Sequence, residues 1–448
     1  MKKYKFKFVA LLVAVALMLP NFTGAGALVE NEVDDGLLTW EEVELTAQLE
    51  SQAVEAHDEL VAAWTIENGE ICYPENFGGY YITDNYKLAV KIVNGDEEFM
   101  NQVLSIVSNP SSVEFETTDI SYSELIDLNR RMPEYASSMN HSFVYSGINI
   151  ESSTVLLGVK PSKGDKVRVS SNDLPIPYYN HVSIEYVDDL PSTEVNGIEP
   201  SSASAYHDGA LLGDKVESWG FAHDYGSIGA YGYYDFNGDG KLDKNSEACF
   251  ATAGHIGFFA KYYATAIRVA GNIVIDQADV RDGDNYIKYV FGSSEPNIEG
   301  YYSSIGDYSF FRYQKNLSPT NVVSGTGRKI TAYNAANDLG KVSVYKVGAT
   351  TGLKVGKIEN NDMSYAFVFD NSIPHEYADK KVIVYNMIGV KGTGFGEGGD
   401  SGGPVYTVSS SGLCLCGLFD GENVTRDMYV FTPMNIVCSG GQFEPYLG

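Results

Sequence analysis

The sequence predicts a mainly β protein, in which a smaller α+β region precedes an all-β domain of two six-stranded antiparallel barrels. From about residue 205 onward, glycine and aromatic residues become dense and the apolar runs are short. Turn dipeptides such as Asp282-Gly283 and Asp420-Gly421 separate these runs, a texture typical of barrels and sandwiches. The remaining length, about 240 residues, suits a pair of small barrels.

Residues 1–27 have the features of a secretory signal peptide. Lysines open the chain, Phe8 to Leu19 is apolar throughout, and Ala25-Gly26-Ala27 provides a cleavage site. The apolar run is short for a membrane span, and an uncleaved anchor is the alternative. No later stretch approaches ~18 uncharged apolar residues. We therefore expect a secreted, extracellular protein that contacts no membrane once the signal is removed.

Residues 28–74 form a predicted N-terminal helical segment. A helix over about 37–66 begins at a capping box, Thr39 with Glu42. The predicted α+β unit, about 75–162, contains a hairpin turning at Thr83-Asp84-Asn85 and two helices. These helices run from Glu97 to about Val107 and from Ser121 to a point before Pro133, and a strand follows at Thr154–Val159.

A stretch rich in Pro, Ser and acidic residues, about 188–204, reads as a linker. The predicted organisation is therefore an α+β region with its linker over 75–200 and the β-rich domain over 201–448.

The formal net charge of -28 excludes a nucleic-acid partner and disfavours an anionic membrane surface, because both bind through surplus Lys and Arg. The five cysteines contain no metal-type CxxC pair.

The segment Gly398 to Pro404, Gly-Gly-Asp-Ser-Gly-Gly-Pro, is the strongest chemical signal in the chain. A serine hydroxyl is a poor nucleophile unless a base takes its proton and donors bind the oxyanion. Glycines beside Ser401 let the backbone turn sharply and direct N–H groups into one site. The sequence predicts Ser401 as a nucleophile, with the N–H groups of Gly399 and Ser401 as the oxyanion hole.

The hexapeptide Gly399 to Pro404 within this segment resembles the nucleophile motif of the chymotrypsin-like serine proteases. The base motif of that family, Thr-Ala-(Ala/Gly)-His, matches Thr252 to His255 letter for letter. The resemblance implies that His255 takes the Ser401 proton and later returns it to the leaving amine.

The third member of the family's triad is an acid between these two residues in the chain. Asp307 is the best candidate, because it opens the apolar strand Tyr308-Ser309-Phe310-Phe311, as the family's Asp-x-(Ala/Ser) pattern does. Asp276, beside another apolar run, is the main alternative. Asp279, Asp282 and Asp284 have the pattern of solvated loop acids.

Residues 348–358 resemble the Gly-x-Thr-Thr-Gly segment of the bacterial streptogrisin and α-lytic protease branch. Cysteines flank that segment in the branch, whereas Tyr345 and Val355 stand here, so we expect that disulfide to be absent. The α+β region also resembles the branch's prodomain, which assists folding and inhibits the enzyme until it is removed. An ordinary accessory domain is the alternative.

The sequence thus predicts a serine endopeptidase that hydrolyses polypeptides by a Ser-His-Asp acyl-enzyme mechanism, with no cofactor and no metal. A catalytically silent, secreted binding protein with a protease fold is the alternative. An esterase is a third possibility, but its nucleophile usually occupies a Gly-x-Ser-x-Gly elbow on an α/β sheet.

Three residues are predicted to line the substrate pocket: Phe395, Asp420 and Glu422. Phe395 stands six residues before the nucleophile, where trypsin-like enzymes carry an Asp. An acid directed into the pocket would favour a basic substrate residue, and acids facing solvent would leave Phe395 to favour an apolar or aromatic one.

Two further acidic features have structural interpretations. Asp235 to Asp243 matches nine positions of a calcium loop, but Ser246 replaces its bidentate Glu, and a hairpin turn is favoured. Asp400, beside the nucleophile, is expected to be a structural ion-pair partner.

Overall fold

The structure is a computed structural model. It describes residues 39–64, 66–67, 70–161, 177–187, 192–193, 210–220, 224–242, 247–270, 272–290, 294–298, 301–313, 317–333, 339–369, 381–409, 412–425 and 428–448. The predicted signal peptide and most of the predicted linker lie outside these residues. Within the part described, no helix combines the length and apolarity that a membrane crossing requires.

Local capping signals set the helices of the N-terminal region. The α-helices are α1 (Trp40–Ala63), α2 (Glu97–Ile106), α3 (Tyr122–Arg130), α4 (Met132–Ser138), α5 (Gly254–Tyr263), α6 (Gln277–Arg281), α7 (Gly283–Tyr286) and α8 (Met434–Val437). Short 3-10 turns lie at Pro110–Ser112, Tyr179–His181 and Ser439–Gly441. Thr39 caps α1 and Ser121 caps α3, and in each case a glutamate three residues later completes a capping box. Both predicted helix starts are confirmed.

Strands of the α+β region follow the predicted pattern. They are β1 (Ile66–Glu67), β2 (Glu70–Ile71), β3 (Phe77–Ile82), β4 (Leu88–Val93), β5 (Val113–Thr118), β6 (His141–Asn149), β7 (Thr154–Pro161) and β8 (Val182–Tyr186). The predicted hairpin is the antiparallel pair β3–β4, and β5 lies parallel to β4. The predicted strand at 154–159 is β7.

A closed six-stranded barrel forms the C-terminal part of the chain. Its strands are β21 (Ser343–Gly348), β22 (Gly352–Phe369), β23 (Lys381–Lys391), β24 (Pro404–Ser409), β25 (Gly412–Thr425) and β26 (Met428–Pro433). Pairing runs β22–β23–β26–β25–β24–β21, and β21 pairs with β22 to close the ring. This barrel confirms the predominantly β fold predicted for the second half of the chain.

The strands before this barrel form two sheets. The first sheet contains β10 (Lys215–Gly220), β11 (Asp224–Ser227), β14 (Ala264–Val269) and β15 (Asn272–Ile275). The second sheet contains β12 (Ala230–Tyr234), β13 (Ala248–Thr252), β16 (Ile287–Val290), β19 (Tyr308–Arg312) and β27 (Phe443–Pro445). Among the described residues no strand pair joins these two sheets, so a second closed barrel stays a prediction. The remaining strands are β9 (Ser192–Thr193), β17 (Ser294–Ile298), β18 (Tyr301–Ser304) and β20 (Ile330–Tyr333).

The α+β region and the closed barrel share a sheet and a core. Strand β6 pairs antiparallel with β22, so the barrel sheet continues into β6, β7 and β8. One buried cluster contains side chains of both parts, for example Leu157 and Ile358. Helix α1 adds a polar contact, since Ser343 donates its N–H and its hydroxyl to the buried carboxylate of Glu50.

Candidate functional site

His255 lies in the first turn of α5, directly after the buried strand β13. Gly254 opens this helix against the main chain of the Asp307 segment. A Cβ added at Gly254 would lie 2.3 Å from Asp307 Oδ1 and 2.7 Å from the N atom of Tyr308. In this chain, glycine therefore lets the helix begin this close to the acid without displacing neighbouring atoms.

Asp307 precedes β19, the antiparallel neighbour of β13, and this pairing brings it to His255. His255 donates its main-chain N–H to Asp307 Oδ1 at 2.8 Å, and its ring Nδ1 lies 2.7 Å from Oδ2. Asp307 is fully buried, and its own N–H donates to Thr432 Oγ1 at 3.0 Å. The two contacts hold the imidazole in one orientation, with Nδ1–H assigned as the donor.

His255 and Asp307 each stabilise the charged form of the other. Burial raises the pKa of Asp307, but the adjacent His255 charge and hydrogen bonds outweigh it, and the pKa is lowered. Burial lowers the pKa of His255, yet the Asp307 charge and hydrogen bonds raise it well above its usual value. An ionised Asp307 therefore stabilises an imidazolium at this position.

The alternative acid, Asp276, has a different environment. It is exposed and caps α6, accepting the N–H groups of Ala278 at 2.9 Å and Asp279 at 3.2 Å. Asp282 likewise accepts a local hydrogen bond, from the Asn285 amide at 2.9 Å. Asp276 and Asp282 bond groups at helix ends, and of the acids considered for the triad Asp307 is the one that contacts His255.

Ser401 lies in the turn between β23 and β24, and this turn packs against the end of β13. Gly402 has a φ of +88°, and a Cβ there would lie 1.9 Å from Thr252 Oγ1. Ser227 forms two hydrogen bonds to the same turn. It donates its N–H to the Ser401 carbonyl at 2.7 Å and its hydroxyl to the Gly399 carbonyl at 2.9 Å. The serine motif and the histidine motif therefore pack together, at a contact one residue from Ser401 and three residues from His255.

The Ser401 hydroxyl donates to the main-chain oxygen of Asp420 at 2.8 Å. Asp420 Oδ1 lies 3.5 Å from His255 Nδ1, so Ser401 and His255 both contact this residue. Among the described residues, no acceptor bonds the N–H groups of Gly399 and Ser401.

Asp400 stabilises the turn from within. It forms a fully buried ion pair with Lys346 of β21, which confirms its expected structural role. Its carboxylate also accepts the N–H groups of Thr350 at 2.8 Å and Thr351 at 3.0 Å. The Gly-x-Thr-Thr-Gly segment therefore binds Asp400, a role that the sequence signal did not reveal.

The Asp420 side chain is enclosed by other polar groups of the site. It is only 3% exposed. It contacts His255, accepts a hydrogen bond from the Tyr365 hydroxyl and has a carboxyl oxygen within 4.8 Å of one of Asp307. Burial first, and then the Asp307 charge, raises the pKa of Asp420 well above its usual value. The sequence analysis did not identify Tyr365 at all, because nothing near it in the chain marks it.

The other predicted pocket residues are less fully defined. Phe395 is completely buried, with its ring centroid 5.8 Å from that of Phe419 and 5.7 Å from that of Tyr429. Glu422 belongs to β25, but its side chain lies outside the described residues. A pocket lined by Phe395, Asp420 and Glu422 stays a prediction.

Two sets of groups have the composition of a cation site. Ligand atoms of His255, Asp307 and Asp420 lie within 4.8 Å of one another. Protein donors already occupy these carboxyls, since His255 bonds both oxygens of Asp307 and Tyr365 bonds Asp420. In the second set, Asp235 accepts the N–H groups of Gly238 at 2.7 Å and Gly240 at 2.8 Å. This loop connects the antiparallel pair β12–β13, as the hairpin interpretation expected.

Comparisons with known proteins concern both parts of the chain. Residues 42–118 match a family described as a Pro-like N-terminal domain, and the match spans the boundary predicted at residue 75. No curated protein matches the chain. The family match supports the pro-like character predicted for the N-terminal region.

Similar solved structures include Thermobifida fusca protease A, 23% identical, where the match covers 53% of this chain and 98% of that one with a TM-score of 0.34. A Cellulomonas bogoriensis chymotrypsin is 20% identical, with 53% and 98% covered and a TM-score of 0.33. A Nocardiopsis protease is 18% identical, with 52% and 97% covered and a TM-score of 0.34.

Proposed function

We propose that this protein is a serine endopeptidase that uses Ser401, His255 and Asp307. The observation that carries the proposal is the His255–Asp307 pair, joined by two hydrogen bonds, together with a serine in a glycine-rich turn that bonds Asp420, which also contacts His255. A hydroxyl, an oriented imidazole and a buried carboxylate are the groups that nucleophilic acyl transfer needs.

In the proposed reaction, Asp307 holds the proton on His255 Nδ1 and leaves Nε2 to act as the base. The Ser401 hydroxyl turns from the Asp420 carbonyl toward Nε2, transfers its proton there and attacks the substrate carbonyl. The N–H groups of Gly399 and Ser401 bind the oxyanion. His255 then protonates the leaving amine, and a water molecule, deprotonated by His255, hydrolyses the acyl-enzyme.

Polypeptides are the proposed substrates, cleaved without a cofactor. An α/β-hydrolase esterase would present its nucleophile between a strand and a helix. Ser401 instead precedes β24 and belongs to a turn of an antiparallel barrel. This placement favours the protease over the esterase.

The N-terminal region is proposed to be a prodomain that assists folding and inhibits the enzyme until removed. Its strand β6 extends the barrel sheet at β22, and its side chains enter the same buried cluster. Secretion, through the predicted signal peptide, belongs to the same proposal.

The test separates catalysis from the alternative, a silent binding protein. We expect Ser401→Ala to abolish fluorophosphonate labelling and to lower peptide turnover by about 10⁴-fold or more. Ser409→Ala, at the exposed end of β24, is the matched control and should keep both. Near-normal hydrolysis by Ser401→Ala would refute the mechanism, and a wild type that neither labels nor cleaves would support the binding protein.

A further inference from the structure

Asp420 adds a second buried carboxyl to the His255–Asp307 pair. The titratable groups facing it are His255 of α5, Asp307 before β19 and Tyr365 of β22. Carboxyl oxygens of Asp307 and Asp420 lie within 4.8 Å of each other, and neither residue is more than 3% exposed. Two buried carboxylates this close repel each other, and a single imidazolium cannot neutralise both, so a proton on one of them is favoured.

The hydrogen bonds indicate which carboxyl holds the proton. Asp307 accepts two N–H groups of His255, at 2.8 and 2.7 Å, which favours its anion. Asp420 accepts from the Tyr365 hydroxyl and lies farther from the imidazole, with 3.5 Å between Oδ1 and Nδ1. The raised pKa of Asp420 and the lowered pKa of Asp307 agree with this assignment.

We propose that Asp420 is a neutral carboxylic acid that donates its proton in a hydrogen bond to Asp307 and thereby positions the carboxylate that orients His255. Asp420 is thus a positioning residue that acts through Asp307. Its part in catalysis rests on the proposed function.

This arrangement connects catalysis to pH in a way that a hydroxyl would not. A serine hydroxyl in the place of the Asp420 carboxyl would remain a donor at every working pH. A carboxylic acid loses its donor when it ionises, and a second anion then lies beside Asp307. Peptidase activity should therefore fall as the pH rises through the pKa of Asp420, and Asp420→Ser should remove this alkaline loss.

The direct test is carbon NMR of the protein with ¹³C-labelled aspartate carboxyls, in the Ser401→Ala background to prevent self-digestion. The Asp420 signal, assigned by its disappearance in Asp420→Asn, should remain that of a protonated acid at neutral pH. A signal that titrates at or below the ordinary aspartate pKa, about 3.9, would overturn the proposal. This measurement does not depend on catalysis.

The kinetic test compares the pH dependence of kcat/KM. Asp420→Asn keeps a neutral donor, so its acid limb should match that of the wild type, with activity within about threefold. Asp420→Ala lacks the donor and should lose about tenfold. If Asp420 were an anion, Asp420→Asn would remove a charge beside the imidazole and lower the acid-limb pKa by about one unit or more. That shift would overturn this inference alone, whereas an active Ser401→Ala would overturn the proposed function.

Discussion

Replacing Lys346 with methionine tests the support of the nucleophile turn. Lys346 and Asp400 are both completely buried, so solvent does not screen their attraction. Methionine retains the apolar stem but leaves the Asp400 carboxylate without a cation. Breaking a buried pair in this way costs about 3–5 kcal/mol of the free energy of unfolding. We also expect peptidase activity to fall, because Asp400 bonds the segment beside the Gly399 and Ser401 donors.

The free energy of unfolding is measured by urea denaturation at neutral pH, in the Ser401→Ala background to prevent self-digestion. Lys354→Met is the matched control, because Lys354 lies opposite Lys346 in the same strand pair but is half-buried. It should change stability by about 1 kcal/mol or less. The double variant Lys346→Met, Asp400→Asn removes both charges and should recover about 2 kcal/mol or more of the single variant's loss.

The direction in which stability changes with pH can refute the assignment of the Lys346–Asp400 ion pair. In the wild type, burial raises the pKa of Asp400, but the Lys346 charge and hydrogen bonds outweigh it and lower the pKa. This contribution is present above the unfolded-state pKa, about 3.9, and is lost as the pH falls through the lower folded-state value. Without Lys346, burial should raise the pKa of Asp400, so the variant should gain stability as the pH falls. A loss below about 1 kcal/mol, or no such gain, would contradict the assignment.

Three further predictions concern the site and its assembly. Asp307→Asn should lower kcat by about 10⁴-fold, whereas Asp276→Asn should leave it unchanged. The reverse result would show that Asp276, and not Asp307, is the acid of the triad. A chain beginning near Ala205 should yield little active enzyme unless residues 28–200 are supplied, because β-rich, non-local folds form slowly; equal yields would contradict this. Peptides with Phe or Leu before the scissile bond should be cleaved faster than those with Arg, since Phe395 is apolar; a preference for Arg that disappears in Glu422→Gln would show that Glu422 sets specificity.

Several elements were predictable because their signals are local. The capping boxes at Thr39 and Ser121 involve groups three residues apart, and the β3–β4 hairpin needs one short turn. Helix α5, in contrast, was not expected within a β-rich segment. Its residues are apolar on most faces, and Ile256, Phe258 and Phe259 are all buried, so no amphipathic period marks the helix.

The features of the candidate site also divide into local motifs, which the sequence shows, and contacts between residues far apart in the chain. The sequence by itself determined the motifs of His255 and Ser401 and the best acid, because glycine-rich turns and a lone acid at a strand start are visible in a few residues. Only the tertiary structure decided that Lys346 pairs with Asp400, 54 residues away, and that Asp420 contacts Tyr365, 55 residues away. The physical reason is that barrel closure, and not local propensity, determines which buried charges and hydroxyls become neighbours.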